Sequence, residues 1–298
     1  MRRDLEFKTE DGVTLRGWFY PAKGVTGPAP AVVMAHGFSA VKEMYLDDFA
    51  AFFSEAGIAA LVYDHRNLGA SDGEPRGHID PRQQIDGYRD AISHAQTMKE
   101  VDPNRIGIWG SSYSGGHVLV VAAIDRRVKC VIAQVPLVAG LETARRLIRG
   151  DHWKGLRAGF DADRMARIGG AAPARVPVTA PEGEPSALPT ADTFEFFTKF
   201  SKERQTPWQN EVPLHSVELF TEYEPGIYIP RISPTPLLVV AALEDHLTPF
   251  DMTAAAYETA REPKKFLALP CMHFEAYTGD MFAMSAPVQR DWLTTHLK

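Results

Sequence analysis

Residues 106–116, Ile-Gly-Ile-Trp-Gly-Ser-Ser-Tyr-Ser-Gly-Gly, constrain the fold more than any other part of the chain. Their pattern predicts a buried strand that ends near Gly110 in a cramped turn, followed by a helix. A serine in such a turn has a strained backbone, so the positions two before and two after it must be small. With Ser112 as the central residue, those positions are Gly110 and Ser114, where glycine is usual at both. The stretch therefore predicts a nucleophile elbow centred on Ser112.

Other interpretations of this stretch stay open. A frame centred on Ser114 would place Ser112 and Gly116 at the small positions, but it would extend the strand past Gly110, where its pattern has ended. A glycine-rich turn that only packs a helix on a sheet, or one that binds an anion at a helix N-terminus, also fits. The dinucleotide fingerprint and the P-loop lysine are missing. Support for catalysis must therefore come from other parts of the chain.

Composition narrows the class of protein. The 298 residues are 45% hydrophobic and 23% charged, which is typical of an ordinary globular protein. The net charge of −6 argues against a nucleic-acid or membrane surface. The two cysteines, Cys130 and Cys271, have no spacing typical of a disulfide framework or a zinc site. With no signal-peptide pattern and no apolar run of membrane length, we expect a soluble cytoplasmic protein.

Strand and helix patterns alternate along most of the chain, which predicts an α/β fold with a mostly parallel eight-stranded sheet and helices on both faces. The predicted strands are residues 5–9, 14–20, 31–35, 58–63, 106–110, 128–135, 236–241 and 266–269. The predicted helices between and after them are residues 44–56, 81–100, 118–123, 249–262 and 283–297.

The alternation stops near residue 140 and resumes near residue 231. Between these points lie helical patterns at residues 141–148 and 193–200 and an Ala/Pro-rich stretch, 169–189, that suits neither a strand nor a long helix. We therefore predict one core domain, made of residues 1–139 and 231–298, with an inserted, mainly helical cap at residues 140–230.

Two further polar residues follow predicted strands, where functional groups of a parallel sheet collect. Asp245 follows strand 236–241, and His273 follows strand 266–269. Each alone is typical of a helix N-cap or a surface side chain. Together with Ser112 they predict a catalytic triad of nucleophile, base and orienting carboxylate. Glu244, His246 and Cys271 compete for these roles, but none has an elbow of its own.

The triad mechanism also needs donors for a tetrahedral oxyanion. We predict the backbone amides of Tyr113, directly after the nucleophile, and of Phe38, in the loop after strand 31–35. His36 fits better as a loop-ordering residue than as a base or metal ligand. Asp64 and Arg66 are expected to form an ion pair that orders neighbouring loops.

With these residues in hand, the chain resembles the α/β-hydrolase superfamily over nearly its whole length. The resemblance rests on residues 36–38, 64–66, 69–73 and 110–115, together with Asp245 and His273, and it implies the α/β-hydrolase fold with the chain order Ser, Asp, His. Gly-x-Ser-Tyr-x-Gly is similar to the X-Pro dipeptidyl-peptidase-like branch. Residues 41–44, 79–81, 224–226 and 233–236 resemble a fungal polyketide transferase or hydrolase group, which implies work on polyketide-derived esters or thioesters.

The function expected from these observations is a serine hydrolase of carboxylic esters or thioesters that acts through an acyl-enzyme. An acyltransferase with the same triad, and a non-catalytic binding protein on this fold, remain as alternatives. We expect no cofactor and no metal. The expected partners are a small-molecule ester or thioester and a carrier-protein-bound acyl group, with no nucleic acid and no membrane. The oligomeric state stays open, a homodimer included.

Substrate selectivity should lie in the cap, because aromatic residues are dense there. From these and the core loop after His273 we select Trp153, Phe197, Trp208 and Phe274 as candidate substrate-binding residues. The acidic residues of the cap alternate with arginines or lie in the Ala/Pro-rich stretch, which is typical of a solvated surface. Since a dipeptidyl peptidase needs carboxylates for a free ammonium group, we expect poor peptidase activity.

Overall fold

The computed structural model describes residues 2–298, and its centre is an eight-stranded sheet with the order β1-β2-β4-β3-β5-β6-β9-β10. β2 pairs antiparallel with β1 and β4, and every other neighbouring pair is parallel. The sheet strands are β1 Arg3–Lys8, β2 Thr14–Tyr20, β3 Ala29–Ala35, β4 Ala59–Tyr63, β5 Val101–Ser111, β6 Val128–Gln134, β9 Leu237–Ala242 and β10 Lys264–Leu269.

Helices cover both faces of the sheet because the central strands are apolar on both sides. In β3, Val33 packs into the core shared with α2 and α3, whereas Val32 and Met34 point to the opposite core with α1 and α9. The predicted mostly parallel sheet with two helical layers is therefore confirmed. The helices are α1 Leu46–Glu55, α2 Pro81–Thr97, α3 Tyr113–Ile124, α4 Gly140–Leu147, α5 Trp153–Ile168, α6 Ala191–Glu203, α7 Leu214–Glu222, α8 Phe250–Glu258 and α9 Gly279–His296.

The segment between β6 and β9 contains α4 to α7 and a short antiparallel ribbon of β7, Arg175–Val176, and β8, Val212–Pro213. We expected no strand in the Ala/Pro-rich stretch. That expectation was wrong, because the two-residue strand β7 lies within it. α5 and α7 were not predicted as helices. The division into residues 1–139, 140–230 and 231–298 stays a prediction.

This segment covers the carboxyl ends of the parallel strands. Its apolar residues and those of the loops after β3 and β5 form one buried cluster, which includes Phe38, Tyr113, Phe197 and Val212. The polar residues at the strand ends are thereby shielded from water. Of the helices in residues 2–298, none combines the length and the apolar character needed to cross a bilayer.

Candidate active site

The turn between β5 and α3 holds Ser112 with φ 57° and ψ −119°, a conformation that is strained for any residue except glycine. A Cβ atom added at Gly110 would lie 2.2 Å from the carbonyl oxygen of Ser114, and one added at Gly115 would lie 2.7 Å from Pro136 Cα. Both glycines are therefore required for the helix to pack so closely on the strand. Ser112 is the half-buried residue at the apex of this turn.

Asp245 and His273 meet at the ends of β9 and β10. Nδ1 of His273 donates to Oδ2 of Asp245 over 2.7 Å, and both side chains are almost fully buried. Oδ1 of Asp245 also accepts the backbone amides of Leu247 at 2.8 Å and Thr248 at 2.7 Å. These bonds fix the carboxylate and, through it, the imidazole ring. Nε2 of His273 is buried and has no hydrogen-bond partner among residues 2–298.

Thr248 adds a contact that the sequence analysis missed. Its hydroxyl lies 2.8 Å from Oδ2 of Asp245, 3.0 Å from the carbonyl oxygen of Val135 and 3.3 Å from Nδ1 of His273. The only available signal was its position three residues after Asp245, where a hydroxyl can bond back to a loop carboxylate.

The loop after β3 approaches Ser112 closely because Gly37 has no side chain. A Cβ atom at Gly37 would lie 2.7 Å from Ser112 Cβ and 3.1 Å from its Oγ. The backbone amides of Phe38 and Tyr113 have no acceptor within the described chain, and the rings of these two residues contact edge to face at 5.5 Å. The predicted oxyanion donors are therefore both unsatisfied and lie on the two segments that meet at Ser112.

His36 stabilises the conformation of the loop after β3 through hydrogen bonds to the backbone. Its Nε2 donates to the carbonyl oxygen of Met44 at 2.8 Å, and its Nδ1 accepts the amide of Gly37 at 2.8 Å. Burial lowers the pKa of His36 to about 4, so the ring is neutral near pH 7. A neutral ring with both nitrogens occupied acts on loop conformation and has no free lone pair for a substrate.

The prediction of an ion pair between Asp64 and Arg66 is wrong. Asp64 is buried and pairs with Nζ of Lys42 at 2.7 Å, while Arg66 pairs with Asp11 at 2.9 Å. Asp64 also accepts the amide of Lys42 at 2.8 Å. Because Lys42 follows the loop with Gly37 and Phe38, the carboxylate still holds that loop, although through a partner from another segment.

A narrow pocket opens beside Ser112, Gly37, Phe38 and Tyr113. Its volume of about 20 Å³ corresponds to about one water molecule. Most of its other walls are apolar side chains from the cap and from three core loops, namely Leu137, Leu188, Phe197, Phe220, Leu247 and Phe274. These apolar walls offer few hydrogen-bond partners to water near the nucleophile.

The structure brings only two of the four candidate substrate-binding residues into this pocket, namely Phe197 and Phe274. Trp208 lies behind Phe197, with ring centroids 4.8 Å apart, and its Nε1 donates to Ser39 Oγ at 3.1 Å. Trp153 is half-buried at the start of α5, where the guanidinium carbon of Arg157 lies 5.7 Å from the centroid of its ring. Leu188 and Phe220 line the pocket but were not selected from the sequence.

The competing residues are placed unfavourably for catalysis. Glu244 and His246 are exposed on either side of Asp245. Cys271 is buried, and burial raises the pKa of its thiol to about 12, so it is protonated near pH 7. Within residues 2–298, no group of three or more His, Cys, Asp or Glu side chains is placed to hold a metal ion.

Comparison with known proteins identifies the family. The model of the X-Pro dipeptidyl-peptidase (S15) family matches residues 11–275. The chain belongs to this family. A thiohydrolase from Eupenicillium brefeldianum is 32% identical to this S15-family chain over 293 residues, which cover 97% of this chain and 92% of the thiohydrolase. A polyketide transferase from Penicillium sp is also 32% identical, with 99% and 97% covered.

The crystal structure of the α/β hydrolase GrgF from Penicillium sp. sh18 superposes on this S15-family chain with a TM-score of 0.85 at 30% identity, covering 100% of this chain and 99% of GrgF. The S15-family chain is thus an α/β hydrolase. The family resemblance and the fold class predicted from the sequence are both confirmed.

Proposed function

We propose that this protein is a serine hydrolase that cleaves carboxylic esters or thioesters with apolar acyl groups. The observation that carries the proposal is the buried Asp245–His273 pair, whose Nε2 is unpartnered, beside a pocket that contains the strained Ser112. An unpartnered buried nitrogen alone does not mark a catalytic histidine, since Nδ1 of His65 and Nε2 of His94 also lack partners among residues 2–298. What distinguishes His273 is that its other nitrogen is bonded to the buried carboxylate of Asp245.

In the proposed reaction, Ser112 Oγ attacks the substrate carbonyl carbon while Nε2 of His273 takes the hydroxyl proton. The amides of Phe38 and Tyr113 hold the oxyanion of the tetrahedral intermediate. Its collapse breaks the ester or thioester bond, and His273 returns the proton to the leaving alcohol or thiol. Water then repeats the sequence on the acyl-enzyme and releases the acid. Throughout, Asp245 orients the ring and stabilises its charged form.

The lining of the pocket supports an apolar acyl group, because Leu188, Phe197 and Phe220 offer no charged or hydrogen-bonding group to a substrate. Since the pocket holds about one water molecule, these side chains must move apart to admit an acyl chain. The relatives named thiohydrolase and polyketide transferase support ester and thioester chemistry. Polyketide-derived acyl groups, free or on a carrier protein, are accordingly our candidate substrates.

Acyl transfer is the second candidate function. The pocket has room for about one water molecule, so an acceptor that displaces this water could intercept the acyl-enzyme before hydrolysis. The polyketide transferase relative favours the same possibility. Adding alcohols or amines during turnover of a p-nitrophenyl ester separates the two functions, because a transferase forms the new ester or amide at millimolar acceptor.

Poor peptidase activity remains part of the proposal, although one of its supporting observations needs correction. Asp163 is a buried residue rather than a solvated one; it pairs with Arg167 at 2.8 Å and accepts the amide of Ala174 at 2.8 Å. The carboxylate is thus already neutralised, and it does not line the pocket beside Ser112. It offers no site for the free ammonium group of a dipeptide substrate.

The decisive experiment is labelling with a fluorophosphonate, followed by peptide mapping. We expect the label on Ser112 and its loss in Ser112→Ala, together with loss of turnover of p-nitrophenyl esters and acyl thioesters. A label on Ser111, Ser114 or Cys271 would contradict the assigned nucleophile. A folded protein that neither reacts with the probe nor turns over any ester would favour the non-catalytic alternative. Faster cleavage of an X-Pro p-nitroanilide than of the esters would contradict the substrate class.

A further inference from the structure

Ser114 occupies the elbow position where glycine is usual, and its hydroxyl is not needed for the turn itself. The residue is fully buried, so its hydroxyl must be hydrogen-bonded to avoid the cost of a buried polar group without a partner. The bonds that it makes lie outside the elbow. Their position relative to the two oxyanion donors gives the residue a role beyond being small.

The hydroxyl of Ser114 donates to the carbonyl oxygen of His36. His36 directly precedes Gly37 and Phe38, so this bond joins the first turn of α3 to the loop that presents the Phe38 amide. The other donor, the amide of Tyr113, belongs to the residue just before Ser114. One side chain therefore connects the two backbone segments whose separation defines the oxyanion site.

His65, at the end of β4, determines the direction of that hydroxyl. Its Nε2 lies 2.8 Å from Ser114 Oγ and donates to it, which leaves the serine proton for His36. Burial lowers the pKa of His65 to about 3, so this arrangement does not change between pH 6 and 9. The chain from His65 through Ser114 to His36 is thus a fixed, neutral network.

We infer that Ser114 is a positioning residue for the oxyanion site: its hydroxyl holds the amides of Phe38 and Tyr113 at the separation that a tetrahedral oxyanion requires. This inference rests on the proposed function of Ser112. The hydroxyl is fully buried and does not line the pocket. Its contribution is exerted through the loop of Gly37 and Phe38, and it should appear in the transition state rather than in substrate binding.

The test compares Ser114→Ala and Ser114→Gly with the wild type, using p-nitrophenyl hexanoate and a matched alkyl trifluoromethyl ketone. The ketone forms a tetrahedral adduct with the nucleophile and places its oxygen in the oxyanion site. We expect kcat to fall on the order of 10- to 100-fold in both variants, as for a displaced donor. The inhibition constant of the ketone should rise by a similar factor. KM should change less than about twofold, which marks an interaction made only in the transition state.

Ser54→Ala is the matched control. Ser54 is also buried, and its hydroxyl donates to the carbonyl oxygen of Pro21 at 2.7 Å in a different segment, away from the pocket. It should lose a comparable amount of stability in thermal unfolding, yet keep wild-type kcat and ketone affinity. The ratio of Ser114→Ala to wild-type kcat should also be constant from pH 6.5 to 9, because His65 stays neutral.

Ser112→Ala, tested beside these variants, separates the possible failures. If it abolishes turnover while either folded Ser114 variant keeps wild-type kcat, the positioning role alone is wrong. An increase in KM without loss of ketone affinity would also overturn that role, because it would indicate general loosening of the site. If Ser112→Ala keeps turnover, the proposed function is wrong, and the role of Ser114 with it.

Discussion

The two sides of the pocket are built differently. The core side consists of loop residues at strand ends, and hydrogen bonds orient several of its side chains, as in the pairing of Asp245 with His273 and of Ser114 with His36. The cap side presents apolar side chains such as Leu188 and Phe197, which are held by packing alone. We propose from this comparison that the core side determines the chemistry and that the cap side determines which acyl group fits.

The attachment of the cap agrees with this division. Arg204, directly after α6, pairs with Asp47 at 2.8 Å and Asp48 at 3.0 Å on α1, and Arg146 on α4 pairs with Asp251 at 2.7 Å. These pairs are partly exposed, so each contributes at most about 1 kcal/mol. The apolar cluster beneath them supplies most of the attachment. Cap side chains can therefore be changed with less effect on catalysis than core side chains.

The largest expected effect comes from the core side. His273→Ala should lower kcat/KM on the order of 10⁴-fold or more, and Asp245→Asn somewhat less, because the ring then keeps its position but loses its orienting charge. Ester hydrolysis under steady-state conditions measures both. Near wild-type turnover in a folded His273→Ala protein would remove the triad assignment.

A smaller core change should follow from Gly37→Ala. The added Cβ would lie 2.7 Å from Ser112 Cβ, so the loop with Phe38 must retreat by several tenths of an ångström. Loss of one oxyanion donor corresponds to a fall in kcat of about 100-fold. Gly155→Ala in cap helix α5 is the control, since its new methyl group meets nothing within 4 Å. Equal activity of the two variants would contradict the close approach of this loop to the nucleophile.

The same division explains what the sequence could predict. β3 and β5 were predicted as strands because long apolar runs are local signals, although β5 begins at Val101 rather than at residue 106. Asp245 and His273 follow β9 and β10 as expected, and their catalytic roles stay predictions. Helix α5 was missed because two of its large apolar residues, Met165 and Ile168, are 68% and 72% exposed and obscure its buried face. Trp153 could not be excluded from the pocket because packing between cap segments decides where a ring lies.

The sequence also did not predict which residues pair with one another through ion pairs and hydrogen bonds. Asp64 and Arg66 are two residues apart, yet the carboxylate pairs with Lys42, which is far away in the sequence and comes close only through the β3–β4 pairing. Thr248 and Ser114 had visible positions in the sequence, but their hydrogen-bond partners come from other strands. Local patterns predicted the positions of Asp245 and His273 after their strands better than the hydrogen-bond partners of Asp64, Thr248 and Ser114.

The pH dependence of the free energy of unfolding should differ between variants of buried core histidines and variants of exposed cap histidines. Burial lowers the pKa of His36 to about 4 and of His65 to about 3, whereas unfolded histidines titrate near 6.5. Below pH 6.5 the unfolded chain therefore binds more protons than the folded chain. As the pH is lowered, the free energy of unfolding decreases until the folded pKa values are reached. Between pH 7.5 and 5.5 we expect a loss on the order of 1 kcal/mol per buried histidine, measured by urea unfolding.

His36→Gln should flatten that dependence, because glutamine can still donate to Met44 without titrating. His152→Gln, on the exposed surface of the cap, should leave the dependence as in the wild type. A wild-type pH dependence in His36→Gln would show that this buried ring does not contribute to it.

The smallest expected effect concerns the cap side and tests the comparison most directly. Phe197 is buried and lines the pocket, so Phe197→Leu should enlarge the space for the acyl chain with little change in kcat for short esters. Each methylene that the enlarged pocket buries contributes about 0.8 kcal/mol, or about fourfold in kcat/KM. The optimum in a p-nitrophenyl series from acetate to decanoate should therefore move to longer chains. Trp153→Leu removes a cap aromatic that does not line the pocket, and it should leave the optimum in place. If both variants shift the optimum equally, or if the wild type responds equally to every chain length, acyl selection does not reside in this wall of the cap.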